Sequence, residues 1–142
     1  MVSITLKQAD VLIETCFKKC HEMKLAPLTI AVLDSGGHLV ALKRQDNSSL
    51  LRPQIAHGKA WGALGMGIST RNIAERFRVN EHFFTSISIM SEGKMLASPG
   101  GLIIRDKDGE IIGAVGVSGD TGENDEICAI AGILAADLRY DP

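Results

Sequence analysis

Lys94-Met95-Leu96-Ala97-Ser98-Pro99-Gly100-Gly101 runs into Leu102-Ile103-Ile104-Arg105-Asp106-Lys107-Asp108-Gly109-Glu110 and then Ile111-Ile112-Gly113-Ala114-Val115-Gly116-Val117-Ser118-Gly119-Asp120. This stretch reads as strand, turn, strand, glycine-bearing loop and, from Glu123-Asn124-Asp125-Glu126, a helix. Three strands are expected, at about Lys94–Ala97, Leu102–Arg105 and Glu110–Val117, with Asp106–Gly109 as a hairpin turn. The closing helix is expected over Glu123–Asp137, its acidic first turn suited to the positive end of a helix dipole. Free N–H groups at a helix start form a seat for an anionic ligand. The loop Gly116–Gly122, with the hydroxyls of Ser118 and Thr121, is therefore a candidate site. Its bland alternative is a connection that merely needs glycine.

Upstream, Thr5 and Gln8 form a capping box for a helix running to about Leu25, ahead of Pro27. Leu28–Asp34, Ser35-Gly36-Gly37 and His38–Arg44 make a hairpin. Leu50–Gly67 reads as a helix rich in small residues, with Pro53 tolerated in its first turn. Those small residues suit either close helix–sheet packing or a subunit interface. Ser69–Asn72 caps a further helix over Arg71–Val79. Glu81–Met90 is ambiguous: Ser86-Ile87-Ser88-Ile89 alternates like a strand, but length and flanks favour a short helix. Hairpin-joined strands with helices before, between and after them predict an α+β sandwich in one domain, residues 1–142.

Composition narrows the function. The 142 residues are 45% hydrophobic with a net charge of −2, so there is core enough for one domain and no basic footprint for nucleic acid. No apolar run approaches the about 20 residues of a membrane span. Met1–Gln8 lacks a basic segment followed by an apolar core, and three cysteines are an odd number, so a cytoplasmic protein with free thiols is expected. Cys16-x-x-x-Cys20-His21 is one residue too long for a c-type haem attachment, and all three cysteines read as core.

Four blocks in order carry a resemblance over nearly the whole chain: Ala31–Leu39 with Arg44 and Asp46; Ile55-Ala56 with Lys59-Ala60; Pro99-Gly100-Gly101; and Ile112–Gly119 followed by Asp125-Glu126. The chain resembles the GlcG/HbpS-like, or haem-binding, proteins, and the C-terminal domain of corrinoid adenosyltransferases. The resemblance implies a profilin-like fold whose five-stranded antiparallel sheet has the order 2-1-5-4-3 and is flanked by helices. It also implies a homo-oligomer of four or eight subunits, with haem among the ligands of some members. Arg44-Gln45-Asp46-Asn47-Ser48 departs from the Arg-Met-Asp-Gly-Ala of many members, and Ile103 stands where many have proline.

The candidate ligand-binding residues are Arg52, His57, Lys59, Gly100, Gly101, Ser118, Gly119, Thr121, Gly122 and Asp125. Arg52, His57 and Lys59 form a cationic trio suited to a carboxylate or a haem propionate, against the plain alternative of an exposed basic flank. Among four histidines, His57 is the first choice as an iron ligand and His21 the second. Asp125 and Glu126 suit a metal with a histidine, or more simply helix capping. Three readings follow. One is a haem or tetrapyrrole binder; another is an enzyme or accessory acting on a small hydroxy-acid or diol-derived carboxylate through His57, Lys59 or Asp125; the last is a purely structural oligomer.

Overall fold

The computed structural model describes residues 2–142. Its elements run α1 (Leu6–Glu22), β1 (Thr29–Asp34), β2 (Leu39–Arg44), α2 (Arg52–Met66), α3 (Thr70–Val79), α4 (Glu81–Met90), β3 (Gly101–Arg105), β4 (Ile111–Ser118), α5 (Gly122–Ala135) and β5 (Arg139–Tyr140). The five strands form one antiparallel sheet in the order β2-β1-β4-β3-β5. This is the expected α+β, profilin-like sandwich, but its order in chain numbering is 2-1-4-3-5 and not the expected 2-1-5-4-3, because the outer strand beside β3 comes from the chain end. The ambiguous segment Glu81–Met90 is helical.

Strand alternation sorts the two layers. Ile30 and Val32 of β1, with Val115 and Val117 of β4, face a large core shared with Leu12, Ile13 and Cys16 of α1 and Cys128, Ala129 and Ile133 of α5. The opposite face presents Leu33 and Ala114 to Ala60 of α2. This second layer is thin because its contact residues are small. A β-carbon at Gly116 would run into the Ala56 carbonyl, and one at Gly101 into the Lys59 carbonyl. The small-residue helix is thus packed on the sheet through its backbone, as the first of its two readings expects.

Two expectations are corrected here. Lys94–Ala97 is not a strand. It crosses the outer side of α2, where Gly58 and Gly62 make room: a β-carbon at Gly58 would meet the Lys94 carbonyl at 3.0 Å, and one at Gly62 would meet Met95 Cγ at 2.8 Å. The edge beside β3 belongs instead to Arg139–Tyr140 from the chain end, pairing Ile104 with Tyr140 and Arg105 with Arg139. A two-residue strand is too short to show a period. The bidentate pair from Arg105 to Asp141, at 2.8 and 2.9 Å, fastens it. The first helix also ends at Glu22, before the expected Leu25, because Lys24 takes the left-handed conformation at φ 56°.

Thr5 and Gln8 form the reciprocal capping box. Ser69 caps α3 through Asn72 N–H, and Thr121 caps α5 through Asn124 N–H. Among the described residues, no helix is long and apolar enough to cross a membrane.

Candidate functional site

The bend before α5 is filled by its own chain. Asp125 is 1% exposed, and its Oδ1 accepts the Asp120 N–H at 2.9 Å. Its Oδ2 accepts from Lys59 Nζ at 3.1 Å, and the same ammonium donates to the Val117 carbonyl at 2.8 Å. Lys59 is 3% exposed, so this ion pair is buried between α2, β4 and α5. Asp120 closes the outer side: its carboxylate accepts from Ala26 N–H at 3.0 Å and from Asn124 Nδ2 at 2.8 Å. Gly119 lies on the Pro27 carbonyl, Gly122 on Pro99, and Gly100 is hemmed in by Val117, Lys59 and Asp125. The expected niche of open amides is therefore occupied by carboxylates of the protein itself. Capping is the work of Thr121, not of Asp125 or Glu126, and Glu126 instead accepts from Arg71 Nε at 3.0 and 3.1 Å.

The cationic trio does not converge. A helix turns about 100° per residue, so Arg52 and Lys59, seven apart, share a side, and His57 lies roughly 200° from Lys59. Arg52 Nη1 donates to Ser118 Oγ at 3.0 Å and Lys59 points into the core, where an exposed flank was the plain expectation. Burial lowers the Lys59 ammonium from its ordinary value, with Asp125 opposing the shift and Arg52 adding to it. His57 opens on the other side of α2.

His57 and His21 line separate cavities. The His57 cavity, about 610 Å³, is lined by Leu42, Leu50, Pro53 and Gln54 with Glu92, Gly93 and Lys94. Lys94 Nζ sits 3.8 Å from Glu92 Oε2, so one charge of each sign faces this space. The His21 cavity, about 570 Å³, lies between the end of α1 and the end of β2. Cys20, Leu25, Pro27 and Gln45 form its walls, and Lys24, Arg44 and Asp46 stand around its mouth. Two cations face one carboxylate there. The Arg44 guanidinium donates to the Ser48 carbonyl at 2.7 Å, which anchors it without neutralising it.

The wall of this cavity is held by Gln45. Its Oε1 accepts from Leu28 N–H at 2.7 Å and from the Cys20 thiol at 3.8 Å. Burial pushes the Cys20 thiol up, with Asp120 and Asp125 adding to the rise. Lys24 carries no motif that marks it, and the Cys16-x-x-x-Cys20-His21 spacing marked Cys20 only as core. Only the meeting of a helix end with a strand end, more than twenty residues apart, makes them neighbours of Gln45. The departure from the common Arg-Met-Asp pattern at Gln45 was the one signal available.

Comparison with known proteins places the chain by family and by fold. The family model described as haem degrading protein HbpS-like matches residues 4–134. A 15.0 kDa protein encoded between dhaT and dhaS in Citrobacter freundii is 27% identical over 91% of this chain and 89% of its own. The corrinoid adenosyltransferase PduO of the same organism is 24% identical over 97% of this chain, which spans 40% of that protein. A crystal structure of a PduOC:heme complex superposes with a TM-score of 0.89 at 21% identity, covering 99% of this chain and 100% of that one.

Proposed function

From the premise that the chain belongs to the HbpS-like family, we propose that it binds haem or a related tetrapyrrole in the cavity at His21. One observation carries the choice: that cavity joins an exposed imidazole to two cations and apolar walls. Haem needs a nitrogen ligand for iron, partners for two carboxylates and contact for an apolar plate. His21, the pair Lys24 and Arg44, and the pair Leu25 and Pro27 supply these in turn. The His57 cavity offers an imidazole too, but its single cation already has Glu92 beside it. A fold neighbour crystallised with haem supports the same reading. When bound, haem supplies an iron centre open to redox change. The residues of this chain hold it, orient it and screen its carboxylates.

Haemin titrated into the protein is expected to give a saturable shift of the Soret band. His21→Ala should abolish that shift and His57→Ala should leave it. Loss in His57→Ala alone moves the site to the other cavity. No saturable shift in the unmodified protein overturns the reading.

The proposal extends to a cytoplasmic homo-oligomer of four or eight subunits. Val79, Phe83, Ile89 and Met90 are exposed on α3 and α4, a broad apolar surface of the kind that subunits cover. Native mass spectrometry reads the subunit number and any retained tetrapyrrole in one experiment.

A further inference from the structure

Gln45 lines the His21 cavity next to Arg44, and the fold holds all of its polar groups but one. Its backbone N–H donates to the Leu28 carbonyl at 2.9 Å, and its own carbonyl accepts from Ser48 N–H at 3.1 Å. The side chain turns back so that Oε1 accepts the Leu28 N–H at 2.7 Å. Leu28 is fully buried, and a buried N–H requires an acceptor. The Cys20 thiol donates to the same oxygen from α1 at 3.8 Å. Two donors on one atom decide which end of the amide is which: Oε1 faces the protein and Nε2 faces away from it.

The amide nitrogen is left over. Among the described residues Nε2 has no hydrogen-bond partner, and no buried side-chain nitrogen or oxygen lacks one. Nε2 is therefore open to solvent on a half-buried residue of the cavity wall. Its two N–H donors differ in kind from the cations nearby. Lys24 and Arg44 are exposed, and ordering their long side chains on a ligand costs entropy. The Gln45 amide is already held in place, so it loses little freedom on binding. The cations attract a carboxylate and the amide fixes where it sits. We propose that Gln45 is a specificity-determining residue of this cavity, its amide N–H groups donating to a ligand carboxylate. The inference rests on the tetrapyrrole reading of the cavity and adds a basis for choice among tetrapyrroles: those with free carboxylates are preferred to the same macrocycle with these groups esterified.

Haemin and its dimethyl ester, titrated into the full chain and followed by the Soret band, test this. The unmodified protein is expected to bind haemin at least about tenfold more tightly than the ester, the usual effect of losing one charged hydrogen-bonding partner. Gln45→Met removes the donors without adding charge and should weaken haemin about tenfold, with the ester changed by less than about threefold. Gln45→Glu keeps an acceptor for the Leu28 N–H and sets an anion where the donors were. It should weaken haemin by more than about tenfold, again with little effect on the ester. A residue that only held the wall would move both ligands alike. Unchanged haemin affinity in Gln45→Glu overturns the proposal, as does equal weakening of haemin and ester in both variants. These results leave the tetrapyrrole reading standing, whereas an unmodified protein without saturable haemin binding overturns that reading and this inference together.

Discussion

The bend before α5 and the cavity at His21 both bring cations and carboxylates together, yet they differ in who answers the charges. In the bend, Lys59 and Asp125 are buried and satisfy each other, with Val117 and Asp120 taking their remaining hydrogen bonds. At His21, the charges of Lys24 and Arg44 stand exposed at a concave surface and outnumber Asp46. A buried charge that left its partner free would cost several kcal/mol, so the fold closes such groups on themselves. An exposed cation keeps its water and can exchange that water for a ligand. Burial separates framework from open cavity: the residues that look most like a site by chemistry are part of the framework.

The largest expected effect breaks the closed region. Lys59→Ala strands the Asp125 carboxylate in the core and should cost about 3–5 kcal/mol in urea unfolding. The double variant Lys59→Met, Asp125→Leu should recover most of that loss, since an apolar pair needs no solvation. A small loss in the single variant would mean that the bend hydrates easily and is more open than its hydrogen bonds indicate.

The open region should respond the other way round. Lys24→Gly removes a cation but places glycine at a left-handed position, so thermal stability should hold or rise by up to about 1 kcal/mol. Haemin affinity should fall about tenfold, as expected when one charged partner is lost. A variant that loses stability and keeps affinity would reverse the assignment of the two regions.

The smallest effect lies at the rim of the bend. The Asn124 amide, with the Ala26 and Thr121 N–H groups, holds the Asp120 carboxyl below its ordinary value near 3.8. The folded form therefore binds this proton less readily than the unfolded chain. The stability contributed is complete above that ordinary value and is lost as pH falls through the lowered folded one. Asp120→Asn should flatten this part of the acid limb in melting curves recorded between about pH 5 and 2. An unchanged slope would mean that Asp120 contributes nothing specific to closing the bend.

Legibility followed the range over which each feature acts. The capping box at Thr5 and Gln8, the Asp106–Gly109 turn and the hairpin Leu28–Arg44 were readable because each depends on residues within a few positions. The buried state of Cys16 and Cys20 followed from helical spacing, and Cys128, read as core, is buried as well. The edge strand Arg139–Tyr140 was not readable, since two residues carry no pattern and their partner lies some 35 residues upstream. Lys94–Ala97 has the apolar run of a strand, but Gly58 and Gly62 offer it a groove on α2, and that packing prevails over its β tendency.

The candidate site divides in the same way. His21 and His57 were recognisable as imidazoles able to hold iron. Which cations and walls surround each one depends on the meeting of α1 with β2, and of α2 with the end of α4. Lys59 and Asp125 were recognisable as charged groups near glycine-rich backbone. Their burial against each other depends on how closely α2 approaches the sheet, which Gly101 and Gly116 permit. Local sequence determined the sandwich, its turns and its caps, because dihedral preference and period act along the chain. Only tertiary structure decided which charges face water and which face each other, because solvation is a property of the surroundings that the whole fold assembles.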